Sequence, residues 1–215
     1  MKTLLKKEFA LALHPTCILF LFLSAMLMIP SYPYYVTFFY TTLGIFFVCL
    51  QGRETHDIEY SLLLPVSKRS IVRARIFMSV ILEVCQMLIA VPFAVLNRLV
   101  IQTPNPVGMD VNISLFAFVF VMFGLFNFSF FRRYYCAPDK VGIAFVLSGV
   151  VIFLYIALAE TLSHIIPFMR DVLDTPDPAF IGAKLLTLAL AAFIFITITG
   201  LTIKKCELSF ERLDF

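Results

Sequence analysis

The 215 residues are 61% hydrophobic and 14% charged, too apolar for one water-soluble core, so the chain reads as an integral membrane protein. Its net charge of +3 is small and dispersed along the chain, which argues against nucleic-acid recognition. The five cysteines (Cys17, Cys49, Cys85, Cys136 and Cys206) show neither metal-ligand nor C-x-x-C spacing and none falls in an external loop, which argues against a zinc site or a disulfide framework.

In residues 2–13, Leu5, Phe9 and Ala12 share one helical face, with Lys2 and Lys6 on another. That pattern suits either a helix lying at the cytosolic interface or a basic anchor on the first span. No small-residue cleavage site follows it, so the segment is expected to be retained rather than removed as a signal peptide. Next come 38 residues, Pro15 to Gly52, without Asp, Glu, Lys or Arg. As one helix they would run about 57 Å against a hydrocarbon core of about 30 Å, so they must fold back. Pro30-Ser31-Tyr32-Pro33 supplies the break, because each proline removes an amide donor and restricts its predecessor.

The expected fold class is all-α, with six transmembrane helices at roughly 12–30, 34–52, 76–98, 111–131, 141–160 and 184–203 in a single transmembrane domain, 1–215. Placing the N-terminus inside puts 14 of the 17 Lys and Arg in the cytosol and leaves Arg98, Arg170 and Lys184 outside. The positive-inside rule therefore predicts both termini cytosolic. The external stretch Glu160–Lys184, broken by Pro167, Pro176 and Pro178, is expected to form short interfacial helices rather than a folded domain.

Between spans two and three lies the only sizeable polar segment, Arg53 to Arg75. Asp57 to Leu64 predicts a short helix with acidic residues in its first turn, where they complement the helix dipole, ended by Pro65. Ser67 predicts the N-cap of a second helix that runs through Arg75 into span three. Lys68 and Arg69 would then stand at that helix's positive end, and lipid phosphates or an acidic partner are expected to compensate them. The apolar Leu62-Leu63-Leu64 either dips into the lipid interface or docks on a cytosolic protein, with charged neighbours fixing the register.

Leu64-Pro65-Val66-Ser67-Lys68-Arg69-Ser70-Ile71-Val72-Arg73-Ala74-Arg75, preceded by the basic, apolar Leu4-Leu5-Lys6-Lys7-Glu8-Phe9 and a first hairpin, resembles the small six-span type-2 permeases of bacterial ATP-binding-cassette (ABC) exporters. The ending Ser209-Phe210-Glu211-Arg212-Leu213-Asp214-Phe215 is similar to that family's short tail. The resemblance implies a multi-pass protein of the bacterial plasma membrane. It further implies a second permease, identical or homologous, and separate cytosolic ATPase subunits that bind ATP and Mg. It also makes the loop between spans two and three the coupling helix, which places the ATPase contact at Glu54, Asp57, Glu59, Leu62, Leu63, Leu64, Pro65, Ser67, Lys68 and Arg69.

No G-x-x-x-x-G-K-[S/T] phosphate loop occurs in this chain, so it is expected to bind no cofactor and to hydrolyse no ATP itself. His14, His56 and His164 are dispersed, and His56 with Asp57 and Glu59 is better explained as a solvated loop than as an acid-base cluster. Within the spans, Glu83 and, three residues on, Gln86 share a face of span three. A carboxylate facing lipid is costly, so the pair either anchors interhelical packing or lines a translocation path. Asn97, Asn127 and Ser129 read as interfacial or interhelical hydrogen-bonding groups. The expected function is export of an apolar or amphipathic substrate (peptide, antibiotic or lipid-like) by alternating access, with membrane lipid as surroundings and no nucleic-acid partner. The alternatives are a six-span substrate-binding subunit of a vitamin-type importer and an intramembrane enzyme, the latter disfavoured because no catalytic pair is evident.

Overall fold

The structure is a computed structural model and describes residues 2–101 and 105–213; Asp214 and Phe215 of the tail motif lie outside the described residues. The described chain is helical, with no strand. In order, α1 (Lys2–Lys7) continues as a π turn (Glu8–Ala12), and α2 (Pro15–Phe22) continues as a 3-10 stretch (Leu23–Met28). These are followed by α3 (Tyr35–Glu54), α4 (Asp57–Leu62), α5 (Lys68–Val100), α6 (Ile113–Tyr134), α7 (Val141–Ile165) and α8 (Ile181–Glu211). Helices α3, α5, α6, α7 and α8 are long and apolar enough to cross a membrane. A sixth unit is the pair Lys2–Ala12 and Pro15–Met28, bent by 86°.

The bend falls between the segment 2–13, expected as an interfacial helix or a basic anchor, and the expected first span, 12–30. His14 is extended, as a residue before proline must be, Pro15 occupies the first helical position, and the His14 side chain accepts from the Thr16 amide at 3.2 Å. The helical part of that stretch is therefore Pro15–Met28, set at 86° to Lys2–Ala12. The predicted reversal at Pro30–Pro33 is present, with Ser31 in the left-handed region at φ 57° between Met28 and Tyr35. The other helices match the predicted spans with offsets of a few residues, and the segment between α7 and α8 carries a π turn, Met169–Leu173.

Helix α1 buries Leu4, Glu8 and Ala12, one face at i, i+4, i+8, with Leu5 and Phe9 half-buried at its flank. The apolar face is therefore turned from the one expected, and a carboxylate sits at its centre. Helix α6 is central, lying along α8 and α7. Phe126, Phe130 and Tyr134 stack along it at i, i+4, i+8, with ring centroids 5.0 and 5.9 Å apart. Since lipid is as apolar as leucine, such close packing and polar links between helices hold the bundle together more than hydrophobic burial does.

At 33 residues α5 runs about 50 Å and at 31 residues α8 about 46 Å, so both overshoot a hydrocarbon core of about 30 Å. Their overhanging ends, Lys68–Arg73 and Glu207–Glu211, lie side by side, and α1 meets the same end of α5 through Glu8 and Arg75. Both ends of the described chain thus lie at one pole of the bundle, the basic pole.

Candidate functional site

Helix α4 stands at the basic pole, between the end of α3 and the start of α5. The chain enters it through His56, held left-handed at φ 51°, whose exposed ring meets Glu59 Oε1 at 3.0 Å. That contact pushes the His56 pKa up. Asp57, the first residue of α4, does not face outward. Its two carboxylate oxygens take the Lys7 ammonium and the Arg75 guanidinium respectively, and Arg75 also pairs with Glu8. Lys7 donates to Ser61 Oγ at 2.7 Å, and Ser61 donates in turn to the Asp57 carbonyl at 2.7 Å.

Two cations and two carboxylates thus form a neutral group, with side chains 11% or 12% exposed at Lys7 and Asp57 and 2% or 4% at Glu8 and Arg75. Burial pushes the Asp57 carboxyl up, but Arg75 and Lys7 outweigh it and hold the group below the ordinary Asp value. The cluster fastens α4 to α1 and α5 at once. Gly52 makes room for it, because a Cβ there would stand 3.3 Å from Arg75 Nη1.

The ten loop residues expected to contact a partner are divided by this arrangement. Glu54 and Glu59 are exposed, although Glu54 pairs with Arg53. Leu63 is 85% exposed, the most solvent-facing large apolar side chain described, whereas Leu62 and Leu64 are half-buried. Pro65 is exposed, and Ser67 caps α5 by accepting from the Ser70 amide at 3.3 Å. Asp57 faces inward, contrary to its expected place on the charged rim.

A second correction concerns Lys68 and Arg69, expected to be compensated by lipid or by a partner. The chain compensates them itself. Lys68 Nζ donates to the Leu213 carbonyl at 2.6 Å, Arg69 grips Glu211 with two hydrogen bonds of 2.7 and 3.0 Å, and Arg73 pairs with Glu207. The carboxyl-terminal turn of α8 therefore supplies the negative charge that the positive end of α5 calls for.

Deeper in the bundle, the inward stripe of α5 carries Arg75, Ser79, Glu83 and Gln86 among Val72, Ile76, Leu82 and Ala90, all buried. Asn127 of α6 donates to Glu83 Oε2 at 2.9 Å, and Gln86 donates to Ser24 Oγ at 2.8 Å, at the end of α2. Near the other pole Asn97 donates to the Leu27 carbonyl at 2.5 Å and to the Tyr34 hydroxyl at 3.2 Å. Glu83 and Gln86 are 1% and 0% exposed and each bridges to another helix, so within one chain they tie α5 to α6 and α2. Glu83 Oε1, Gln86 Oε1 and Asn127 Oδ1 are left without a hydrogen-bond partner among the described residues.

The opposite pole carries a second polar clasp. Asp174 accepts from the Asp110 amide at 2.9 Å, while Lys184, fully buried, pairs with Asp177 at 2.8 Å. Burial pushes the Asp174 carboxyl up to about 6. Among the described residues no group of His, Cys, Asp and Glu could hold a metal ion.

Reasoning from sequence missed Glu8, Lys7, Ser61 and Arg75 as a unit, and Glu207 and Glu211 as counterions. The signals were present: Glu8 is the one acidic residue before Glu54, and Arg75 stands eight residues before Glu83 on the same stripe. Compared with known protein families, curated proteins and solved structures, the chain finds no match.

Proposed function

We propose that the chain is the transmembrane permease subunit of an ATP-driven exporter, moving an apolar or amphipathic substrate outward by alternating access. The observation that carries this reading is α4. It is a short helix at the basic pole, presenting Leu63 outward while Asp57 is fastened to α1 and α5 through Lys7 and Arg75. A helix that served only as a connection would not need a buried four-charge anchor. A helix that receives a push from outside the membrane does, because the load must reach the spans without the helix tearing loose.

In this reading the basic pole and both termini face the cytosol of a bacterial cell, as the bias of Lys and Arg favours. The partners are a second permease and separate ATPase subunits, which bind ATP and Mg. Closure of the ATPases pushes on Leu63 and its neighbours Glu59 and Tyr60, and Asp57 carries the displacement to Arg75 on α5. Glu83 with Asn127 and Gln86 with Ser24 pass it on to α6 and α2. Because these links are discrete hydrogen bonds between packed helices, the bundle is suited to switch between two arrangements rather than deform gradually.

The test is affinity purification of the chain from its native membrane under gentle solubilisation, beside a Leu63→Asp variant. The expected result is an ATPase with a phosphate loop recovered with the wild-type chain and lost with the variant. Recovery of the chain with a retained small molecule and no ATPase would move the assignment to a substrate-binding subunit.

A further inference from the structure

On the flank of α6 near the basic pole is a cavity of about 550 Å³, lined by Leu125, Phe128, Ser129, Arg132 and Arg133 of α6 and by Val151 of α7. Its composition changes along its length. Arg132 and Arg133 stand within the last turn of α6, whereas Leu125 lies seven residues earlier, about 10 Å deeper along the axis. Val151 is ten residues into α7 from the same pole, about 15 Å. The cavity therefore has a cationic mouth at the level of the membrane surface and an apolar floor within it.

The mouth carries more positive charge than the chain neutralises. The Arg132 guanidinium lies 5.7 Å from the centroid of the Phe128 ring, and Lys205 Nζ of α8 lies 5.2 Å from the same centroid. Neither cation has an acidic partner among the described residues, and the next carboxylates on α8, Glu207 and Glu211, are held by Arg73 and Arg69. Arg133 donates one hydrogen bond, to the Ser129 carbonyl at 3.1 Å, which is no counterion. One aromatic ring attracts both cations but leaves their mutual repulsion in place.

A ligand that fits both parts has an anionic head at the level of Arg132 and Arg133, with Lys205 nearby over the Phe128 ring, and hydrocarbon against Leu125, Phe128 and Val151. We propose that this cavity binds an anionic phospholipid from the leaflet at the basic pole. A zwitterionic lipid is the poorer occupant, since its headgroup brings a cation of its own to a mouth already lined by Arg132 and Arg133. Basic recesses between membrane helices recognise acidic lipid heads on these terms. The inference concerns the lipid around the protein and stands independently of whether the chain transports anything.

The chain has no tryptophan, so a single Trp can report on the cavity. The full chain carrying Val151→Trp is placed in phosphatidylcholine nanodiscs doped with brominated phosphatidylglycerol or, separately, brominated phosphatidylcholine; Leu125→Trp serves as a second reporter. Leu190→Trp, at a lipid-facing position of α8 that is 56% exposed, is the control. The expected result is half-quenching of the cavity reporters at a mole fraction of phosphatidylglycerol about fivefold lower than of phosphatidylcholine, the preference of about one cation for an acidic lipid surface. The preference should vanish in Arg132→Gln/Arg133→Gln/Lys205→Gln and be absent at Leu190. Equal quenching by the two lipids would overturn the proposal, as would a preference that survives the triple substitution. Quenching by neither lipid would also overturn it, since protein rather than lipid would then cover the cavity.

Discussion

Asp57→Asn should release α4 from the bundle while leaving the spans intact. Asparagine keeps the shape of the side chain but removes the charge that Lys7 and Arg75 both use, turning a neutral group into one with a net positive charge. Deleting one partner of a buried ion pair costs about 3–5 kcal/mol. The lower end applies here, because Arg75 keeps Glu8, and Lys7 keeps Ser61 and a 3.4 Å contact to Glu8. About 3 kcal/mol corresponds to a little over a hundredfold in an equilibrium constant. The loss is local, since α4 is otherwise held mainly by the half-buried Ile58 and Leu62.

Hydrogen exchange followed by mass spectrometry, on the chain in nanodiscs, reads this directly. Amides in 60–64, which donate to His56, Glu59 and Ser61 carbonyls, should exchange about a hundredfold faster in Asp57→Asn, while those of 80–90 in α5 stay unchanged. Adding Lys7→Met restores neutrality and should recover part of the loss, an interaction energy that the double-mutant cycle measures. The Asp57 carboxyl is held below its ordinary value of 3.8, so its contribution is present above that value and disappears as pH falls through the lowered one. Wild-type protein should therefore approach the variant only in acid below pH 3.8. Unchanged exchange over 60–64 in Asp57→Asn at neutral pH would refute the anchoring argument.

Other consequences can be measured separately. Asn127→Leu, which leaves Glu83 buried without its amide, should destabilise the protein to heat by about 1 kcal/mol, and Glu83→Leu in the same chain should restore most of it; no loss in the single variant would remove the bridge from the account. Arg69→Glu should make 208–213 easier to proteolyse, and the swap Arg69→Glu/Glu211→Arg should protect them again, whereas equal digestion of all three chains would deny the clasp. Asp174 has its pKa raised to about 6, so stability that is full below the ordinary Asp value is lost as pH rises through 6. Asp174→Asn should then raise the melting temperature at pH 8 and leave it nearly unchanged at pH 4; a lower value at pH 8 would contradict that sign.

The sequence made the spans legible because a membrane imposes a length of about 20 apolar residues and Pro30 and Pro33 divide a run too long for one crossing. Ser67 and the short acidic helix were legible for the same kind of reason, since capping and dipole effects act within a few residues. The anchor of α4 was not, because it joins Lys7, Asp57 and Arg75 across up to 68 positions, and no local rule pairs charges so far apart. Asp57 and Glu59 look alike in sequence, yet the first is turned into the bundle and the second to solvent, a distinction set by where α1 lands. Likewise Lys68 and Arg69 read as sites awaiting a partner until the overhang of α8 brings Glu211 beside them.

The central claim, that α4 is the point at which an ATPase drives the spans, is tested most directly by a photo-reactive amino acid placed at Leu63 in otherwise native membranes. The account predicts a covalent adduct with a polypeptide that carries a phosphate loop, formed at Leu63 and absent when the same group is placed at Leu190 on the lipid-facing side of α8. Adducts with lipid alone at Leu63 would contradict it, and would return the exposed leucine to the membrane interface.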